Sequence, residues 1–246
     1  MKIISQPSPN FDDRTLPISL LVLHYTGMKT GAEALERMTD AAAKVSAHYM
    51  VEDDGRIFQL VDEEKRAWHA GVSEWRGETN INSASIGIEI VNGGHDWPDH
   101  DGALPPYPDV QIMAVIALCK DIISRRGVLE IVGHSDIAPA RKQDPGEHFP
   151  WAGLAASSLG HMPEISEPDR RVLFEGESRD RGVAIVQRGL AELGYSARVT
   201  GVLDEDTRLI IAAFQRRYRP EQIDGVVDIE TMAIIRWLAE NGNAAS

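Results

Sequence analysis

Three short apolar runs limit the fold most strongly: ISLLVLHYT (18–26), ASIGIEIVN (84–92) and LEIVGH (129–134). Each is rich in leucine or β-branched residues and too short for a typical helix, so each reads as a buried strand. Helical spacing follows the first run in GAEALERMTDAAA (31–43) and precedes the third over about 109–126. Between the first two runs, SAHYMVEDDGRIFQLV (46–61) holds two alternating stretches joined at Asp54-Gly55, a strong hairpin signal. Strands and helices in this mixed order predict an α/β or α+β domain with helices packed on a central sheet.

The pattern changes near residue 160. HMPEISEPDRRVLFEGES (161–178) carries two prolines, many charges and little periodicity, which reads as a linker. Three helical patterns follow. Val186, Leu190 and Leu193 share one face, as do Ile210, Ala213 and Phe214, and then Ile234, Ile235 and Leu238. Asp204 or Asp206 is available to cap the second of these helices. The expected organisation is a first domain over 1–160, a linker over 161–178 and a separate three-helix module over 179–246.

An apolar fraction of 43% and a charged fraction of 26% suit a soluble globular chain of 246 residues. The net charge of −13 argues against nucleic acid or an anionic membrane surface as partner, while allowing a locally basic cleft. Cys119 is the single cysteine, so no intrachain disulfide forms; it lies in a helical run and reads as a small buried hydrophobe. No window approaches the ~20 apolar residues of a membrane helix. The N-terminus lacks an apolar stretch of signal-peptide length, so a cytoplasmic location is expected, with a periplasmic one as the alternative if an export signal has been lost.

His24 and His134 each end a predicted strand, and Asp144 follows ten residues after His134 in a Pro- and Gly-rich loop. Two strand-end histidines and a loop carboxylate are what an open catalytic zinc site needs, with a fourth position left for water. Spacing alone favours structural or surface histidines over a metal site, since 110 residues separate the pair and no short zinc motif is present. Glu89 lies between Ile88 and Ile90, so it faces away from them; a carboxylate there is either paired to an arginine or serves as a general base. Lys142 falls on the same side as Asp144 if the segment is extended, where it is either solvated or placed to stabilise an oxyanion. Trp68 and His69 either line a sugar or peptide groove or belong to the core.

Taken together, LVLHYTG, VSAHYMVEDDGRIFQLV, RAWHAGVSEWRG, NINSASIGIEIVN and VGHSDIAPARKQDPG resemble, in order, the N-acetylmuramoyl-L-alanine amidases of the amidase-2 family (AmpD/AmiD type), across about 17–155. The resemblance implies a central mixed β-sheet flanked by helices and a zinc hydrolase of the bond between N-acetylmuramic acid, or its 1,6-anhydro form, and L-alanine. It places zinc on His24, His134 and Asp144, the catalytic glutamate at Glu89 and the transition-state lysine at Lys142. Trp68, His69 and Asn82, inside the matching stretches, are the expected substrate contacts. Muropeptides are the implied partners: soluble anhydromuropeptides for a cytoplasmic enzyme, the sacculus or its turnover fragments for an exported one. VQRGLAELGY, TGVLDEDTRLIIAAFQRRY and DGVVDIETM resemble the three-helix type 1 peptidoglycan-binding module. The rival expectation is a peptidoglycan-recognition protein without catalysis, against which the intact ligand set and Glu89 both argue.

Overall fold

The computed structural model, which describes residues 1–164, 168–174 and 179–241, pairs the three apolar runs side by side in one six-stranded sheet. The first part of the chain runs β1 (Ile3–Ser5), β2 (Phe11–Asp13), β3 (Leu20–Tyr25), α1 (Gly31–Thr39), β4 (Tyr49–Val51), β5 (Ile57–Gln59) and β6 (Lys65–Ala67). It continues through α2 (Ile81–Ala84), β7 (Ser85–Ile90), α3 (Asp109–Arg126), β8 (Glu130–Gly133), α4 (His134–Ile137) and α5 (Trp151–Ala156). The second part holds β9 (Val172–Phe174), α6 (Arg181–Leu193), α7 (Glu205–Tyr218), β10 (Val227–Asp228) and α8 (Ile229–Asn241). No helix among the described residues is long and apolar enough to cross a membrane.

The sheet order is β1-β5-β4-β7-β3-β8. Strands β4, β7, β3 and β8 run parallel, while β5 returns antiparallel to β4 through the Asp54-Gly55 turn, so the sheet is mixed as expected. Gly55 sits at φ 83°, a conformation that costs glycine nothing.

Strand alternation divides the sheet into two unlike faces. One face carries Leu21, Leu23, Ile86, Ile88, Ile90 and Ile131, buried against Val115, Leu118, Cys119 and Ile122 of α3. Each such buried aliphatic side chain contributes roughly 1.5–3 kcal/mol, which makes this the rigid floor of the domain. The other face is covered in two places. Met50 and Phe58 pack under Ala34 and Met38 of α1, whereas Leu20, Val22 and Val132 lie in one cluster with the C-terminal helices. Polar residues occupy the gap between these two covers.

The C-terminal helices form where the spacing puts them, and Asp204 caps α7 by accepting from Thr207 N at 2.9 Å. Two expectations change. The segment expected as linker contains β9, which pairs antiparallel with β10. The three-helix module packs on the sheet domain: Leu20, Val22 and Val132, with Ala70, Trp75, Ile81 and Ile137, share one core with Val183, Val186 and Leu190. Polar contacts lock the joint. Asp136 Oδ1 accepts from the Tyr195 hydroxyl at 2.7 Å, and Oδ2 accepts from Arg217 Nη1 at 2.8 Å and Gly133 N at 2.8 Å. The Arg217 guanidinium also donates to Ile131 O at 3.1 Å and lies 4.2 Å from the centre of the Trp151 ring. Neither partner of this ion pair meets much solvent, with side chains 10% and 0% exposed.

Removing one member of a buried ion pair strands the other charge, at a cost of about 3–5 kcal/mol. Asp136→Ala is therefore expected to lower the urea midpoint of the whole chain markedly. Asp54→Ala, which breaks the exposed Arg56 pair, should leave the midpoint almost where it was. Equal midpoints for the two variants would contradict the fused joint.

Candidate metal centre and active-site cleft

The site lies in the gap between the two covers, at the carboxyl ends of the parallel strands, the usual ligand position in such sheets. His24 on β3 and Glu89 on β7 are register partners, so both side chains project from the same face. His134 follows β8 directly as the first residue of α4. Asp144 arrives on the loop after α4, which is pinned by the bond from Ser135 N to Asp144 O at 2.9 Å.

Three side-chain atoms converge. His24 Nδ1 lies 2.9 Å from His134 Nδ1 and 3.0 Å from Asp144 Oδ2, and His134 Nδ1 lies 2.9 Å from the same oxygen. The three residues are 1%, 2% and 5% exposed. The far side of each ring fixes its tautomer. His134 Nε2 sits 3.0 Å from the carbonyl of Ala70, so that nitrogen carries the proton. Ser85 donates its only hydroxyl proton to Ile81 O at 2.6 Å, so it accepts from His69 Nε2 at 3.2 Å. His69 Nδ1 is then an acceptor, and His24 Nε2 donates to it at 3.0 Å. Both metal-facing Nδ1 atoms are thereby left with bare lone pairs.

Two lone pairs and a carboxylate oxygen facing one point repel one another unless a cation or a proton sits among them. Burial pushes His24 down to about 4, which favours a neutral ring over an added proton. Burial alone would raise Asp144, but the two histidines outweigh it and hold the carboxyl well below the ordinary range. Tetrahedral zinc ligands at ~2.0–2.1 Å stand about 3.3 Å apart, only a few tenths of an ångström wider than this triangle. The donor set therefore fits zinc and could hold it.

Gly87, between the two site-facing polar residues of β7, makes the arrangement possible. A Cβ at Gly87 would meet the His69 ring at 2.5 Å. The strand thus presents Ser85, a bare backbone and Glu89 in succession to the site face. Glu89 Oε2 is sealed from solvent without a hydrogen-bond partner among the described residues. Burial pushes this carboxyl well above its usual range, the Asp144 charge adds to the rise, and Lys142 opposes it.

An open cleft of ≈ 380 Å³ leads to the triangle; Tyr25, Lys142 and Asp144 line it, together with Leu209, Ala212 and Arg216 from α7. Lys142 reaches this wall from the loop after α4, with its N–H bonded to Ala138 O at 2.9 Å. The structure thus gathers His24, His134, Asp144, Glu89 and Lys142 as the sequence implies. It places the expected substrate contacts differently. His69 is buried behind His24, and Asn82 is buried with its Oδ1 accepting from His69 N at 3.0 Å and Ala70 N at 2.8 Å. Both brace the triangle: His69 bonds through both ring nitrogens to His24 and Ser85, and Asn82 Oδ1 holds the backbone of 69–70. Trp68 is half-buried and does not line the cleft. Ser85, Tyr25 and Arg216 went unnoticed in the sequence. The glycine inside the apolar run at 87 was the available signal, since a strand glycine marks a close approach.

These features agree with what the chain is similar to. Residues 14–147 match the family model described as N-acetylmuramoyl-L-alanine amidase, and 179–235 match a putative peptidoglycan binding domain. The chain belongs to the N-acetylmuramoyl-L-alanine amidase family and is an enzyme of that class. It is 38% identical to the amidase AmiD of Escherichia coli over 91% of this chain and 83% of that one. It is 36% identical to the 1,6-anhydro-N-acetylmuramyl-L-alanine amidase AmpD of Haemophilus influenzae over 61% of this chain and 89% of that one. A solved complex of E. coli AmiD with anhydro-N-acetylmuramic acid-L-Ala-D-γ-Glu-L-Lys superposes with a TM-score of 0.79 at 36% identity, covering 93% of this chain and 91% of that chain.

If the His69 relay sets the His24 tautomer, His69→Ala should weaken zinc binding by roughly 10–100-fold while the fold persists. Competition with a chromophoric chelator reads this directly. Unchanged affinity in a folded variant would remove His69 from the account.

Proposed function

We propose that the chain hydrolyses the amide between N-acetylmuramic acid, or its 1,6-anhydro form, and L-alanine in soluble peptidoglycan fragments during wall turnover and recycling. The observation that carries this reading is the triangle of bare donors beside Glu89, an unpaired carboxylate on the neighbouring strand. His24 Nδ1, His134 Nδ1 and Asp144 Oδ2 would hold zinc, which when bound lowers the pKa of water toward ~7 and polarises a carbonyl.

The remaining chemistry falls to the chain's own groups. Glu89 takes the proton of the attacking water on its carboxylate, and a nearby cation favours the ionised form needed for that step. As the C–N bond breaks, Glu89 returns the proton to the departing alanine nitrogen, so water and amide become carboxylic acid and amine. The Lys142 ammonium stabilises the negative charge that develops on the carbonyl oxygen. His24 and His134 are held in orientation by their far nitrogens, which bond to His69 and to the Ala70 carbonyl.

Glu89→Ala is expected to bind zinc at full stoichiometry while losing at least about 100-fold in turnover. His24→Ala should lose the metal as well. Wild-type-like release of stem peptide by Glu89→Ala would sink the assignment. Mass spectrometry of products from anhydromuropeptide and from intact sacculi, run side by side, tests the substrate. A strong preference for the soluble compound supports a cytoplasmic recycling role, and efficient release from sacculi overturns it in favour of an exported enzyme.

A further inference from the structure

The cleft beside the triangle is not built by the sheet domain alone. Leu209, Ala212 and Arg216, spaced three and four apart on one face of α7, contribute part of its wall. This face differs from the one that Ile210, Ala213 and Phe214 bury in the bundle, so α7 serves the core and the cleft at once.

Arg216 is chemically incomplete as it stands. Its nearest anion is Glu147, with Oε2 3.4 Å from Nε, and neither atom makes a hydrogen bond to a described residue although both are sealed from solvent. Glu147 turns its other oxygen to His95 Nε2 at 3.2 Å, and His95 Nδ1 meets the Tyr25 hydroxyl at 3.0 Å. The pair therefore fixes where Arg216 stands while leaving its fork of donors open. Arg141, the other arginine on the cleft, is engaged elsewhere: its Nη2 donates to Ala70 O at 2.8 Å and Val72 O at 2.6 Å. A guanidinium held at a cleft wall with open donors suits bidentate recognition of a carboxylate.

The substrate class proposed above supplies such a group. In a stem peptide whose second residue is glutamate joined through its γ-carboxyl, the α-carboxylate stays free one residue beyond the L-alanine whose amide is cut. We propose that Arg216 binds this free carboxylate, so that the C-terminal module forms part of the substrate site and selects acidic stem peptides. The proposal rests on the amidase reading.

Two synthetic substrates test it: anhydro-N-acetylmuramoyl tripeptides whose second residue carries either the free carboxylate or its amide. For Arg216→Ala, kcat/KM on the acid should fall on the order of tenfold to a hundredfold, chiefly through KM, as expected for loss of a charge-assisted hydrogen bond. The amide should lose no more than about threefold. Arg216→Lys keeps a charge beside Glu147, and so protects the joint if the alanine variant fails to fold; it should show a smaller loss, again confined to the acid. Equal losses on both substrates, or none on either, would overturn the carboxylate role. Failure of the unaltered protein to cleave either substrate would instead overturn the amidase reading itself.

Discussion

Three bare hydrogen-bond acceptors held within 3.0 Å of one another form the constraint on which the site depends. Left alone in a buried pocket, such a cluster is unfavourable, because no hydrogen bond among the described residues is donated into its centre. It persists because rigid elements dictate it. Parallel strands β3 and β8 deliver the two histidines from a floor packed on α3, and the loop bearing Asp144 is tied back to α4. The proton arrangement is equally determined: from Ile81 O through Ser85 and His69, each bond settles the next, until His24 has a single nitrogen free. The natural partner for that geometry is a cation, and the same demand explains why His69 and Asn82 lie behind the triangle rather than on a groove.

The C-terminal helices answer a packing need before any binding one. Their core covers the apolar stripe Leu20–Val22–Val132, and the Asp136–Arg217 pair fixes their orientation relative to β8 and α4. Because α4 begins at His134, the element that positions a ligand is also the element that receives the module. One consequence is that α7 presents a second face to the cleft. A module joined only by a flexible tether would have no such geometry to offer.

Much of the sheet was legible because each run signals its state locally. The isoleucines flanking Glu89 announce a strand and also announce that Glu89 points the other way, as it does. The Asp54-Gly55 turn and the boundaries of α3 follow from equally local chemistry. Long-range placement was less legible. That His24 and His134 meet across 110 residues came from resemblance to a family, since strand order is not written in spacing. The fused joint was missed because Asp136, Tyr195 and Arg217 each look like ordinary polar surface residues until the fold brings them together. A histidine beside tryptophan is locally compatible with a groove or with the core, and it is Gly87, by opening a slot for the ring, that buries His69.

Zinc K-edge X-ray absorption on the purified protein tests the central claim most directly, because it reads the coordination shell without reference to activity. One zinc per chain is expected, with nitrogen and oxygen neighbours at ~2.0–2.1 Å and the outer-shell signature of two imidazoles. A protein that binds no zinc, or whose zinc shows no imidazole scattering, would contradict the account.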